Sequence, residues 1–148
     1  MSINSDTLNI INTILINSPF GKSLGFELVC VDPDIIELKL PFKRENVAMN
    51  NTIHGGAIAS LIDVAGAICA SSAVEPENLQ GGGTSSLSVN YLKPADSIDL
   101  IAYAKVVLRK PSHVVSEVLV NDPENNLIAI ALVTTHLSSK PDDALKVP

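Results

Sequence analysis

The residues best placed to do chemistry in this chain of 148 residues lie between Asn50 and Ala70, where Asn-Asn-Thr-Ile-His-Gly-Gly opens a long apolar run broken by one carboxylate, Asp63. Within that run Ile58, Leu61, Ile62, Ala65, Ile68 and Cys69 keep the i, i+3, i+4 spacing of one helical face. Ser60, Asp63, Ala67 and Ser71 form a second, narrower stripe of small or polar residues that another backbone or a ligand can approach closely. Gly55 and Gly56 fall where the helix begins. Backbone N–H groups there have no intrahelical partner and the macrodipole is positive, so an electron-rich oxygen can be held there. The missing Cβ at Gly55 leaves room for one. Taken alone, the two glycines read as a tight loop-to-helix turn and Asp63 as a partly exposed or hydrogen-bonded structural carboxylate.

The surrounding pattern says what must position this helix. Residues 6 to 17 carry an aliphatic stripe of Leu8, Ile11 and Leu15, which predicts a short amphipathic helix capped by Ser5 or Asp6 and ended by Asn17-Ser18-Pro19-Phe20-Gly21 as a linker turn. From Leu24 the period becomes two. Leu24, Phe26, Leu28 and Cys30 predict one half-buried strand, Asp32-Pro33-Asp34 a turn, and Ile36, Leu38 and Leu40 its hairpin partner. After the helix, Glu75 to Gly83 reads as a loop. Alternation then predicts strands around Leu87 to Tyr91, Ile98 to Leu108, Val114 to Asn121 and Leu127 to Leu137, with turns at Pro94-Ala95-Asp96 and Lys110-Pro111 and a hairpin loop at residues 122–126. Residues 139–148 are polar and proline-bearing, and are expected to fray. One α+β domain follows, an antiparallel sheet of about six strands wrapped around a helix that is apolar on most of its circumference.

Bulk properties remove several classes of function. The net charge of −6, with ten scattered Lys and Arg, argues against a nucleic-acid surface. No apolar run has the length of a membrane span, and the N-terminus lacks the basic and apolar regions of a secretory signal, so a cytoplasmic protein is expected. Gly81-Gly82-Gly83 lacks the Lys-Ser or Lys-Thr pair of a phosphate loop. Cys30 and Cys69 have no metal-type spacing and read as reduced core residues.

His54-Gly55-Gly56 followed by Asp63, with Asn90-Tyr91-Leu92-Lys93-Pro94-Ala95 in the strand beyond, resembles the hotdog-fold acyl-CoA thioesterases, specifically the phenylacetyl-CoA thioesterase (PaaI-like) type. The resemblance spans roughly residues 20 to 138. It implies the hotdog fold and hydrolysis of a small aryl- or acyl-CoA thioester without metal or organic cofactor. It also implies roles. The Gly55 N–H donates to the thioester carbonyl, Asp63 acts as general base or nucleophile, and Thr84 holds the water or the acid. Family members often carry Asn six residues before the His, where this chain has Ala48; Asn46, Asn50 and Asn51 are close enough to substitute. A Gly followed by Arg or Lys is usual between the fourth and fifth strands, where this chain reads Arg109-Lys110-Pro111-Ser112-His113. The implied site therefore has Asp63, Gly55, His54, Asn50 and Thr84 at the reaction centre. Asn51, Gly56, Gly83, Ser85, Arg109, Lys110, Ser112 and His113 lie toward the substrate.

If the helix starts near Gly55, Asp63 lies eight residues further on, roughly 12 Å along the axis at about 1.5 Å per residue. One helix cannot easily bring both groups to one carbonyl. A site with both predicts a symmetric homodimer that joins Gly55 of one subunit to Asp63 of the other, and the resemblance adds a dimer of dimers. The competing readings are a non-catalytic acyl-CoA-binding or regulatory protein and a purely structural oligomer. Dehydratase-type chemistry fits less well, because His54 is the only His near the helix while His113 and His136 fall in strand-like segments.

Overall fold

The helix predicted around Asp63 forms as Gly55–Ser71 (α3) and packs across one face of a six-stranded antiparallel sheet. The computed structural model describes residues 2–138, so the frayed tail expected at residues 139–148 lies outside the described residues. The strands are Glu27–Asp32 (β1), Ile35–Leu40 (β2), Gly81–Tyr91 (β3), Leu100–Arg109 (β4), His113–Asn121 (β5) and Leu127–Ser138 (β6), in the order β1-β2-β4-β5-β6-β3. This is the sheet wrapped around a helix that the hotdog resemblance implies. No helix among the described residues is long and apolar enough to cross a membrane.

The core lies between α3 and the face of the sheet it covers. Ile36, Leu38 and Leu40 of β2 and Leu100, Ala102 and Ala104 of β4 are fully buried against Leu61, Ile62, Ala65 and Ile68, the face picked out by periodicity. Gly66 lets the helix come close to β6, since a Cβ there would sit 2.6 Å from the Cβ of Val133. The opposite face of α3 is partly open along Ser60, Asp63 and Ala67.

The N-terminal region differs from the expectation. The first helix spans Ser5–Ile11 (α1), and its N-cap is Asn4, whose side chain accepts from the Asp6 N–H at 2.9 Å. Asn12–Ile16 continues as a π-helical turn, closed by the Asn17 N–H on the Asn12 carbonyl. The segment read as a linker is a second helix, Pro19–Leu24 (α2), with Ser18 accepting from the Gly21 N–H and Gly25 ending it at φ 75°. Ser-Pro is an N-cap followed by the residue best suited to the first helical position, so the proline that looked like a break starts a helix.

Two further corrections concern strands. The bulge between Leu28 and Cys30 turns Leu28 and Val31 inward opposite Leu38 and Ile36, and leaves Cys30 on the outer face opposite Glu37. Cys30 is therefore exposed, not a core residue, whereas Cys69 is buried. The three glycines read as loop form the start of β3. Gly82 has φ 136°, and a Cβ there would lie 2.2 Å from the His136 carbonyl oxygen, so the pairing with β6 requires glycine.

Burial pushes the Cys69 thiol up to about 11, and its Sγ donates to the Asp34 carbonyl at 3.2 Å. A thiol reagent applied near pH 8 is expected to label Cys30 alone in the folded protein, since the thiolate is the reacting species and Cys69 is protonated and out of reach. Mass spectrometry of the labelled protein checks this; equal labelling of both thiols would contradict the burial of Cys69, and an unlabelled Cys30 would contradict the placement of the bulge.

Candidate active site

Two polar clusters lie on α3, one at its N-terminus and one near its middle. The first is built by the loop before the helix. Val47 and Ile53 pair as an isolated bridge, and Asn50 (φ 52°) and Asn51 (φ 64°) turn the chain between them through the left-handed region that asparagine tolerates. The Ile53 N–H donates to the Ala95 carbonyl at 2.8 Å, and the His54 N–H donates to the Asn46 carbonyl at 2.8 Å. The strand motif ending at Ala95 thus anchors the loop that carries His54.

His54 is the N-cap of α3, and its Nδ1 accepts from the Gly56 N–H at 2.8 Å. The Ala57 N–H returns to the His54 carbonyl, which leaves the Gly55 N–H without an acceptor among the described residues. That donor sits at the positive end of a helix of 17 residues. Tyr91 closes the other side of Gly55. Its hydroxyl donates to the Gly55 carbonyl at 2.9 Å, and its ring would touch a Cβ at Gly55 at 3.5 Å, an ordinary contact distance. Packing inside the chain does not by itself require glycine there.

Asn46 adds a donor. It is buried, and its Nδ2 has no hydrogen-bond partner among the described residues. An unsatisfied buried donor costs about 1–3 kcal/mol, so a ligand acceptor that reached it would recover that energy. Among the three asparagines weighed from sequence, Asn50 is exposed at the turn and the Asn51 side chain accepts from Arg44 at 3.0 Å. The Asn-Asn pair is itself a signal for a left-handed turn, and read that way it leaves Asn46 as the residue facing inward.

The second cluster joins two elements distant in sequence. The Thr84 hydroxyl, on β3, donates to Asp63 Oδ1 at 2.5 Å. Asp63 is half-buried on the open stripe of α3 and its Oδ2 has no protein donor among the described residues. One carboxylate oxygen is thus fixed by a hydroxyl and the other is available. Gly83 precedes Thr84 and lines a cavity of about 310 Å³ that also touches Ala67 and Ser71, the next two residues along the Asp63 stripe.

Other predicted residues lie elsewhere. The Ser85 hydroxyl donates to the Thr134 carbonyl at 3.2 Å. The Arg109 guanidinium binds Asp34 Oδ1 through Nε at 3.1 Å and the Ala70 carbonyl at 3.0 Å, so it ties the last turn of α3 to the β1–β2 turn. Lys110 is exposed, in a groove shared with Glu75 and Pro111, while Ser112 Oγ lies 3.0 Å from His113 Nδ1 and the His113 ring is 5.1 Å from that of His136. The structure therefore brings together His54, Gly55 and Gly56 at one end and Asp63, Thr84 and Gly83 in the middle. Arg109 is near the opposite end of the helix from Gly55.

Comparison with known proteins follows the same lines. Residues 50–129 match the family model of the thioesterase superfamily. The medium/long-chain acyl-CoA thioesterase YigI of Escherichia coli is 29% identical over 131 residues, covering 78% of this chain and 83% of the relative. Among solved structures, a thioesterase of Haemophilus influenzae superposes with a TM-score of 0.80 at 22% identity, covering 93% of this chain and 94% of the other. The PaaI protein of the E. coli phenylacetic acid degradation operon superposes with a TM-score of 0.78 at 18% identity, covering 92% and 96%.

Proposed function

The chain belongs to the thioesterase superfamily and is a hydrolase, and from that premise we propose that it hydrolyses acyl-CoA thioesters at a site shared by two copies of the chain. The observation that carries this reading is the Thr84–Asp63 hydrogen bond beside an apolar cavity, on the same helix as the open Gly55 N–H. The name of the relative YigI supports acyl-CoA as the substrate class.

The reaction needs a donor for the carbonyl oxygen and a group that handles water. As the thioester carbonyl is attacked, negative charge grows on its oxygen, and the Gly55 N–H receives it; a preorganised donor of this kind is worth about 3 kcal/mol. The Asn46 amide, the buried donor beside His54, is the second candidate for that oxygen or for the thioester that carries it. Asp63 takes a proton from water through Oδ2 while Thr84 fixes Oδ1, or attacks directly to form a mixed anhydride that water then opens. Either way the carbon–sulfur bond breaks and CoA leaves as the thiol. The division of labour follows the PaaI-like type.

The two halves of the site need a partner. Strand β3 is a sheet edge of 11 residues, largely exposed, and Leu87, Tyr91 and the neighbouring Leu132 put apolar surface along it. Such an edge invites pairing with another strand. A second copy added antiparallel at β3 continues the sheet and lays the two α3 helices side by side, so that Gly55 of each approaches Asp63 of the other.

Release of free CoA thiol from a panel of short, medium and aromatic acyl-CoAs tests the activity. Thr84→Val removes the hydroxyl while keeping the shape. It is expected to lower kcat by about 10- to 100-fold with KM little changed, the loss of one charge-assisted hydrogen bond worth about 1.5–3 kcal/mol. A panel with no turnover, or a Thr84→Val variant of unchanged kcat, goes against this reading; binding without turnover favours an acyl-CoA-binding protein.

A further inference from the structure

The N-terminal helical segment forms one wall of the cavity that lies along the Asp63 stripe of α3. Ile10, Ile14 and Leu15 face Ala67 of α3 and the glycines at the start of β3 across a space of about 310 Å³. One wall is branched aliphatic, and the other combines the glycine backbone with Leu79, Leu137 and the polar side chains of Ser71 and Thr135. Among the described residues no aromatic side chain of this chain lines it, so an aryl group would find no ring of this chain to stack on or meet edge to face. One end adjoins the reacting groups, because Gly83 precedes Thr84 and Ala67 lies one helical turn beyond Asp63. The π-helical turn at Asn12–Ile16 carries Ile14 and Leu15 of this wall.

We infer that this cavity takes the aliphatic tail of the acyl group and that the N-terminal helical segment sets its length. At about 30 Å³ for each water-sized group, the space holds roughly ten methylene-sized groups. This rests on the reading of Asp63 and Thr84 as the reacting end of the site. Burying each methylene raises affinity about fourfold, so the gain per carbon stops where the chain meets the far wall.

The test uses two measurements on the full chain. Calorimetry gives the affinity of S-(2-oxoalkyl)-CoA thioethers from butyl to tetradecyl, which carry the carbonyl but resist hydrolysis, and thiol release gives turnover of the matching acyl-CoAs. Affinity is expected to climb about fourfold per carbon to about the decyl chain and then level off. Ile14→Ala, at an exposed position that leaves the fold intact, is expected to move the break to longer chains, and Ala67→Leu to shorter ones. Turnover with affinity independent of chain length, a break that neither variant moves, or tighter binding of the phenylacetyl analogue than of the octanoyl one would overturn the inference while leaving the hydrolase reading in place. Chain-length-dependent binding with no turnover supports the cavity assignment and overturns the hydrolytic one. The absence of both overturns both.

Discussion

Asp63→Asn is expected to lower kcat for acyl-CoA hydrolysis by about 10²–10⁴, the usual contribution of a positioned general base. The substitution is nearly isosteric, and an amide oxygen can still accept the Thr84 hydroxyl that now sits 2.5 Å from Oδ1. The helix and the strand therefore stay together, and KM and the unfolding midpoint should change little. What disappears is the second oxygen as a proton acceptor or nucleophile. Steady-state kinetics on a medium-chain acyl-CoA, with affinity for a non-hydrolysable analogue measured in parallel, separates the two effects. A variant within about threefold of the parent, a change of about 0.7 kcal/mol or less in the barrier at about 1.4 kcal/mol per decade, would remove Asp63 from the chemistry.

Gly55→Pro deletes a single N–H with little other change. Proline is favoured at the first helical position, where its missing donor has no intrahelical partner, and His54 has the extended backbone (φ −62°, ψ 135°) that a following proline needs. The His54 cap on Gly56 is untouched. Thermal stability is expected to hold or rise slightly, as it does where proline fits the native backbone. kcat is expected to fall about 10²–10³, the loss seen when one oxyanion donor is removed. Gly55→Ala is the control, because it keeps the donor and adds a methyl that meets the Tyr91 ring at an ordinary 3.5 Å. If Ala costs as much as Pro, the glycine matters for space and the donor role fails.

Much of the scaffold was legible because one periodicity dominates each core element. The alternation at Ile36, Leu38 and Leu40 and at Leu100, Ala102 and Ala104 marks the buried face of β2 and β4, and α3 begins at Gly55 as its turn-prone start suggested. What escaped were features decided by a single local irregularity. The bulge in β1 moves Cys30 to the outer face by one residue, which no alternation count can foresee. Ser18-Pro19 reads as punctuation but caps a helix, and the glycines opening β3 read as a loop although Gly82 is needed for close pairing with His136.

Within the candidate site, the pairing of Thr84 with Asp63 was legible only through the family resemblance, since 21 residues separate them and neither pattern points to the other. Tyr91 was missed as a neighbour of the helix start, and Asn46 was weighed but left out of the implied site, for a related reason. The contact of Tyr91 with Gly55 crosses 36 residues, and the choice among Asn46, Asn50 and Asn51 turns on which backbone takes the left-handed turn. Arg109 was placed toward the substrate because its charge is visible in sequence, whereas its partners Asp34 and Ala70 are brought to it only by the fold.

The central claim is that Gly55 of one subunit works with Asp63 of the other, and mixing two inactive variants tests it most directly. Gly55→Pro and Asp63→Asn chains are unfolded together, refolded and assayed against each variant refolded alone. With sites shared between subunits, random pairing makes half the dimers mixed and gives each mixed dimer one intact site, so about a quarter of the parental activity returns. If each chain holds its own complete site, no pairing restores one. Activity of the refolded mixture no higher than that of the separate variants, with mixed dimers demonstrated by native mass spectrometry, would contradict the shared site.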